Sequence, residues 1–238
     1  MPDVSPALPD RAALLLDLDG TLLDFAPTPD SVVVPAGLLV SLAELRHRLG
    51  DALAIVTGRP VEQVDGLLGD VPFAVAGEHG GAIRHAPGEA IARAALAALP
   101  GDWLGRAEAI AASHPGALVE PKRRSLVLHY RRAPEAGAAL EAAARALLAG
   151  HEDRFAVMPA NMAWELKPLG ADKGTAVRAI MARAPFAGLV PVYIGDDVTD
   201  EDGIAAAVAL GGLGWRVQEV FADPAGVRRW LGGLAGSR

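Results

Sequence analysis

The sequence predicts an α/β protein with a doubly wound, Rossmann-like parallel sheet as its core and an inserted α+β cap domain. Three short apolar runs, near residues 12, 52 and 191, each end in a polar loop, and Ala- and Leu-rich stretches of helical periodicity separate them. These features predict the core. In the middle of the chain each helical stretch is followed by two extended runs, and this different order predicts the insert.

The core elements follow one another in a regular order. The runs AALLLDLDGT, ALAIVTGRP and PVYIGDDVTDED have the composition of buried parallel strands. The helical stretches cover residues 35–49, 61–68 and 173–184. Strands that alternate with helices in this way form a sheet with helices on both faces. Such sheets bind ligands beyond the carboxyl ends of their strands, which is where the three polar loops lie.

The insert is expected at residues 85–167, so that residues 1–84 and 168–238 form the core. It contains a helical stretch near 100–113, the extended runs GALVEP and SLVLHYR, the helix EAGAALEAAARALLAG, and the extended runs RFAVMP and MAWELKP. This αββαββ order predicts a small antiparallel sheet with two helices on one face.

Composition excludes several classes of function. The formal net charge of −7 argues against nucleic acid or an anionic membrane as a partner. Because the chain has no cysteine, disulfides, zinc–thiolate sites and thiol nucleophiles are excluded. The segment MPDVSPALPDR lacks the basic start and apolar run of a signal peptide, and no stretch reaches the roughly 18 apolar residues of a membrane span. We expect a soluble, cytoplasmic protein and a monomer.

Paired carboxylates follow the first apolar run. Asp17 and Asp19 at a strand end would repel each other and lose hydration, so a fold places them there when a cation compensates. The loop GDDVTDED supplies Asp196, Asp197 and Asp200 from another strand end. An oxygen-only site with positions left open for water and phosphate suits Mg²⁺ better than Ca²⁺. Mg²⁺ is therefore the expected cofactor.

Each motif has a simpler interpretation when it is taken alone. Asp-x-Asp-Gly-Thr can be a turn, TGRP at 57–60 is typical of a strand-to-helix connection, and KGT at 173–175 is typical of a solvated helix start. Their order and their common placement at strand ends favour phosphate chemistry instead. In that chemistry the Thr57 hydroxyl and the Lys173 ammonium bind phosphoryl oxygens.

Taken in order, the motifs resemble those of the haloacid-dehalogenase-like phosphatases. The match comprises DLDGT at 17–21, TGR at 57–59, Lys173, and GDDVTD at 195–200. The chain also resembles one family of that superfamily, the trehalose-6-phosphate phosphatases, over residues 12 to 205. Features of that family are TPDSVVVP after the first motif, EHG after the third strand, and the insert residues Glu120-Pro121-Lys122, Ser125 and His129-Tyr130-Arg131.

The resemblance implies a phosphatase that cleaves a small-molecule sugar phosphate, trehalose 6-phosphate, through an aspartyl-phosphate. Asp17 would attack the phosphorus, and Asp19 would protonate the sugar oxygen and then accept a proton from water. Thr57 and Lys173 would bind the remaining phosphoryl oxygens.

The resemblance also implies a ligand set for Mg²⁺. The carboxylates of Asp17 and Asp196 and the backbone carbonyl of Asp19 would hold the ion, while Asp200 and Asp197 would orient metal-bound water and Lys173. The residues expected to contact the substrate are Gly20, Arg59, His79, Glu120, Lys122, Arg131 and Glu165.

The insert would then close over the site and read the sugar hydroxyls, for which carboxylate and ammonium groups are suitable partners. The simpler interpretation of EPKRR is a solvated edge of a two-stranded ribbon. His129 is expected to be structural, and neither Glu78 nor Trp164 is assigned a role. Alternative functions are another sugar-phosphate phosphatase, a phosphohexomutase, or a non-catalytic sugar-phosphate sensor. The full set of catalytic residues argues against the sensor.

Overall fold

The structure is a computed structural model that describes residues 6–26, 31–122 and 124–236. The first three residues of the TPDSVVVP segment lie outside the described residues. The chain forms two compact units, Met1–Ala94 with Ala171–Arg238, and Ala95–Gly170. No helix among the described residues is both long enough and apolar enough to cross a membrane.

The secondary structure alternates between strands and helices along the chain. The described strands are β1 Ala12–Leu16, β2 Leu53–Val56, β3 Ala74–Gly77, β4 Ala82–Arg84, β5 Ala92–Arg93, β6 Leu118–Pro121, β7 Leu126–His129, β8 Phe155–Ala160, β9 Ala163–Pro168, β10 Val190–Gly195 and β11 Leu213–Arg216. The described helices are α1 Leu38–Arg48, α2 Val61–Leu68, α3 Trp103–Ala112, α4 Gly137–Leu148, α5 Lys173–Met181, α6 Asp200–Ala209, α7 Val217–Val220 and α8 Pro224–Gly236.

The first unit is built on a seven-stranded sheet of order β11-β10-β1-β2-β3-β4-β5. The strands from β11 to β3 are parallel, and β4 and β5 add an antiparallel edge. Every residue of β1 is buried. Leu14 and Leu16 pack in the apolar cluster with α1, α2 and α8, while Ala13 and Leu15 pack in the opposite cluster with α5 and α6. Helices therefore cover both faces, and the prediction of a doubly wound core is confirmed.

The parallel register brings three strand ends to one edge of this sheet. Leu16 of β1 pairs with Ile55 of β2 and with Ile194 of β10. The residues that follow these strands, Asp17, Thr57 and Asp196, therefore come from the same carboxyl edge.

The second unit is a four-stranded antiparallel sheet of order β6-β7-β9-β8. One face of this sheet packs on α3 and α4 through a cluster that includes Leu126, Leu128, Phe155 and Leu166. The sheet and its two helices form the αββαββ unit that the sequence predicts.

The boundaries between the units differ from those expected at residues 84/85 and 167/168. The first boundary follows Ala94 and the second follows Gly170. Residues 85–94 remain with the core because β5 pairs with β4 in the core sheet, with Arg93 opposite Ala82.

Candidate active site

A buried ammonium lies between two buried carboxylates at the carboxyl end of the core sheet. Lys173 Nζ is 2.8 Å from Asp17 Oδ1 and 2.7 Å from Asp200 Oδ1. The exposed fraction of each of these side chains is 5% or less. Burial acts to lower the pKa of Lys173, but the two carboxylates outweigh it and raise that pKa. Lys173 therefore stays an ammonium and supplies a fixed positive charge.

Helix α5 presents Lys173 from its first turn. The Asp172 carboxylate accepts a hydrogen bond from the backbone N–H of Thr175 at 2.6 Å, and Thr175 Oγ1 accepts one from the backbone N–H of Asp172 at 3.1 Å. This capping box fixes the start of the helix. A Cβ on Gly174 would lie 2.5 Å from the carbonyl oxygen of Asp202, so glycine allows the close packing of α5 on α6.

Asp200 is held by three further donors. Tyr193 Oη donates to Asp200 Oδ1 at 2.6 Å, and the backbone N–H groups of Asp196 and Asp197 donate to Asp200 Oδ2 at 3.1 Å each. A Cβ on Gly195 would lie 2.1 Å from Asp200 Cγ, so only glycine fits there. The role that the resemblance implies for Asp200, the orientation of metal-bound water and Lys173, stays a prediction, which these contacts support.

Three carboxylates form a cluster that could hold a metal ion. Asp17, Asp196 and Asp200 each place one oxygen within 4.8 Å of the others. Burial, followed by the charges of Asp200 and Asp197, raises the pKa of Asp196 from 3.8 to about 6. Burial also raises the pKa of Asp17 well above its usual value, against the attraction of Lys173. A cation at this position would offset both the loss of hydration on burial, which is the larger cause of the two raised pKa values, and the repulsion between the carboxylates.

A glycine shapes the space around this cluster. Gly20 has a φ of +81°, and a Cβ at this position would lie 2.2 Å from Asp196 Oδ2. The Asp196 carboxylate can lie in the cluster because no side chain occupies that space. Thr21 Oγ1 completes the group, 3.4 Å from Asp17 Oδ2 and 3.5 Å from Asp196 Oδ1. An all-oxygen donor set of this kind fits a hard divalent cation.

The carboxylate of Asp19 has a different partner. Arg59 Nε and Nη2 donate to its two oxygens at 2.6 and 2.7 Å, in a bidentate ion pair. The Asp19 side chain is not a member of the cluster that Asp17, Asp196 and Asp200 form. The two aspartates of the first motif therefore contact different cations: Asp17 contacts Lys173, and Asp19 contacts Arg59.

Thr57 lies at the end of β2 and is buried. Its Oγ1 accepts a hydrogen bond from the backbone N–H of Arg59 at 3.2 Å, and its carbonyl accepts one from the N–H of His79 at 3.0 Å. Glu78 and His79 both have positive φ, at 53° and 54°. A Cβ on Gly58 would lie 2.6 Å from His79 Nε2, so the His79 ring packs directly against the second motif.

The insert residues lie on the second sheet. Glu120, Val127, Glu165 and Met158 stand opposite one another across β6, β7, β9 and β8 and therefore share one face. Glu120 Oε2 is 2.8 Å from His129 Nε2. The buried Glu165 accepts a hydrogen bond from Ser125 Oγ at 2.5 Å.

The other expected members of these groups are exposed. Lys122 and Arg131 are both exposed in the second unit. Asp197 is exposed in the first unit, where its Oδ1 accepts hydrogen bonds from the N–H and the hydroxyl of Thr199 at 2.7 and 2.6 Å. The expected roles of these residues stay predictions.

Comparison with known proteins identifies the family. The model of the trehalose-phosphatase family matches residues 15–217. The chain belongs to the trehalose-phosphatase family. A probable trehalose-phosphate phosphatase from Sinorhizobium fredii is 41% identical over 87% of this chain and 78% of that protein. The trehalose-6-phosphate phosphatase of Escherichia coli is 36% identical over 90% of this chain and 80% of its own length.

A solved structure has the same fold as this trehalose-phosphatase family member. The C-terminal domain of the C. albicans trehalose-6-phosphate phosphatase superposes with a TM-score of 0.76 at 21% identity, and all of both chains is covered. The family assignment confirms the resemblance on which the sequence analysis depends.

Sequence reasoning missed one residue that supports the site of this trehalose-phosphatase family member and assigned no role to two others. Tyr193 donates to Asp200, and its hydroxyl is the one polar side-chain group in the apolar run of β10, which is the sequence signal that points to it. Glu78 had no assigned role, and the structure pairs it with Arg93 Nη1 at 2.5 Å. Trp164 also had none, and its Nε1 donates to the carbonyl of Gly137 at 2.9 Å, at the start of α4.

Proposed function

We propose that the protein is a Mg²⁺-dependent phosphatase that hydrolyses trehalose 6-phosphate to trehalose and phosphate. The observation that carries this proposal is the buried charge cluster of Asp17, Lys173, Asp196 and Asp200 in a member of the trehalose-phosphatase family. A nucleophile, a fixed cation and a set of oxygen ligands stand together there, and these are the groups that phosphoryl transfer requires.

The reaction runs in two halves on the residues of the core. In the first half an oxygen of Asp17 bonds to phosphorus while the bond from phosphorus to the sugar oxygen breaks, and Asp19 gives its proton to that sugar oxygen. In the second half Asp19 accepts a proton from the water that attacks the aspartyl-phosphate. Free phosphate leaves, and the Asp17 carboxylate is restored.

The phosphoryl oxygens would be bound by groups whose charge or position is fixed. Lys173 Nζ is within 2.8 Å of Asp17 Oδ1, so it can neutralise charge beside the attacking oxygen. Thr57, at the end of β2, supplies a hydroxyl from the neighbouring strand.

Mg²⁺ would be held by the carboxylates of Asp17 and Asp196 and by the backbone carbonyl of Asp19. When bound, the ion supplies positive charge that shields the nucleophile from the substrate and stabilises charge on the phosphoryl group. Asp200 is the third carboxylate of the cluster, but its oxygens accept hydrogen bonds from Lys173, Tyr193 and two backbone N–H groups. We therefore assign it to the orientation of Lys173 rather than to the direct binding of metal.

The second unit would recognise the part of the substrate that does not react. Glu120 and Glu165 lie on the same face of the sheet, where Glu120 is exposed and Glu165 is buried. Carboxylates accept hydrogen bonds from sugar hydroxyls, and Lys122 and Arg131 can donate to them. This chemistry supports a role in reading the distal sugar.

The test is a phosphate-release screen over a panel of sugar phosphates at equal concentration. The expected result is the highest kcat/KM for trehalose 6-phosphate, dependence on Mg²⁺, and loss of activity in excess chelator. Asp17→Asn is the control for contaminating phosphatases, because it keeps the shape of the side chain and removes the attacking charge. A higher kcat/KM for a different sugar phosphate would overturn the assignment of trehalose 6-phosphate as the substrate. A phosphohexomutase would instead convert its substrate to an isomer without net release of phosphate.

A further inference from the structure

Both oxygens of the Asp19 carboxylate are engaged by one arginine. Arg59 Nε lies 2.6 Å from Asp19 Oδ2, and Arg59 Nη2 lies 2.7 Å from Asp19 Oδ1. The exposed fractions of the two side chains are 12% for Arg59 and 28% for Asp19. A planar guanidinium that contacts both oxygens fixes the plane of the carboxylate as well as its position.

The backbone of Arg59 is itself held on both sides. Its N–H donates to Thr57 Oγ1 at 3.2 Å, and its carbonyl accepts a hydrogen bond from the N–H of Glu78 at 2.9 Å. A Cβ on Gly77 would lie 2.5 Å from the Arg59 carbonyl oxygen, so glycine permits this close approach. The guanidinium is therefore presented from a backbone that the end of β3 holds in place.

Two cations contact different carboxylates of the site. Lys173 contacts Asp17 and Asp200, and Arg59 contacts Asp19. The two aspartates of the first motif therefore have separate partners, which suits them to separate tasks. A nucleophile must face phosphorus, whereas an acid–base group must face the oxygen of the leaving sugar and later the water.

We propose that Arg59 is a positioning residue for Asp19 rather than a substrate-binding residue. The inference rests on the proposed function. Arg59 keeps its own protons throughout, and it fixes the orientation of the Asp19 carboxyl group, which gives its proton to the sugar oxygen and, as the carboxylate, takes one from water. Its contribution reaches the reaction only through Asp19.

A double-mutant cycle tests this dependence. We would measure kcat and KM for trehalose 6-phosphate and for p-nitrophenyl phosphate with Arg59→Gln, Asp19→Asn and the double variant. General acid–base catalysis contributes about 10²–10⁴-fold, so Asp19→Asn should lower kcat for the sugar phosphate by a factor in that range. Arg59→Gln should lower it by about tenfold or more, and the double variant should be no slower than Asp19→Asn.

The substrate comparison and two further variants complete the test. Losses should be smaller for p-nitrophenyl phosphate, because its leaving group needs little protonation. Arg59→Lys retains the positive charge but not the two parallel N–H donors of the guanidinium, so it should keep more activity than Arg59→Gln. Arg46→Gln removes another arginine–aspartate pair of the core, with Asp51 at 2.6 Å, and should leave both kcat values unchanged.

Four results would overturn the proposal. Losses that multiply in the double variant would show that Arg59 acts independently of Asp19. A raised KM for trehalose 6-phosphate with unchanged kcat would make Arg59 a substrate-binding residue. Equal losses on both substrates would exclude a role in leaving-group protonation. Unchanged kcat and KM in Arg59→Gln would exclude any role.

The wild-type protein separates this inference from the proposed function. If it releases phosphate only from a different sugar phosphate, the substrate assignment fails and the same cycle is run on that substrate. If it is active on trehalose 6-phosphate and the losses multiply, only the role of Arg59 fails. A wild-type protein that hydrolyses no phosphate ester would overturn both.

Discussion

Gly20→Ala should disable the proposed metal site while leaving the fold intact. The added Cβ would lie 2.2 Å from Asp196 Oδ2, whereas ordinary contact begins near 3.4 Å. The carboxylate must therefore move by about 1 Å, and metal–ligand distances tolerate only about 0.2 Å. A displacement of about 1 Å in a catalytic group can cost roughly 10²-fold, so kcat should fall by about that factor or more. The φ of +81° adds about 1–2 kcal/mol of backbone strain.

The assay is phosphate release from trehalose 6-phosphate over a titration of Mg²⁺, with unfolding in urea measured on the same preparations. Gly37→Ala is the matched control, because Gly37 has a φ of +84° and nothing within 4 Å of its Cβ position. The control should lose similar stability and keep its activity. If Gly20→Ala kept kcat within about threefold of the wild type at saturating Mg²⁺, Asp196 would not be the ligand that we infer.

The charges of the site and of the second sheet lead to four further predictions. Lys173→Met should lower the free energy of unfolding by about 3–5 kcal/mol, because the buried carboxylates lose their partner; a loss below about 1 kcal/mol in urea unfolding would contradict the buried pairing. The raised pKa of Asp196, about 6 against 3.8, means that protons compete with the cation below pH 6, so Mg²⁺ affinity in calorimetry should weaken as pH falls from 7 to 5. The same raised pKa means that Asp196 stabilises the folded metal-free protein at low pH. The contribution of Asp196 to the free energy of unfolding should therefore fall as pH rises from 3.8 to about 6, and a rise in that contribution over this window would contradict the shift. Glu120→Ala should lower kcat/KM for trehalose 6-phosphate by about 10- to 100-fold and leave p-nitrophenyl phosphate within a few-fold, whereas Glu141→Ala on α4 should change neither.

The core could be predicted because its strands are buried on both faces. Apolar runs such as residues 12–16 carry that signal in composition alone, and the polar loops mark where the strands end. β5 could not be predicted in the same way, because Ala92–Arg93 is a two-residue strand that exists only through its pairing with β4. The second unit therefore begins later in the chain than the sequence predicts.

The members of the site could be predicted, but their pairing could not. Motif order identifies the aspartates and the lysine. The side-chain directions that allow Asp19 to form an ion pair with Arg59, however, depend on the surrounding fold. The bond from Tyr193 to Asp200 likewise requires the helix after β10 to turn back on that strand. The expected cytoplasmic location and monomeric state stay predictions.

The register of the second sheet has a consequence for how sequence change alters specificity. Glu120 and Glu165 reach the same face because each stands opposite Val127 of β7. Since side chains alternate between faces, a one-residue insertion within β6 would turn Glu120 toward the helix-covered side and bring a neighbour into its place. If this face reads the sugar as proposed, substitutions adjust recognition gradually, whereas insertions and deletions in this strand should change it in a single step while the chemistry of the core continues.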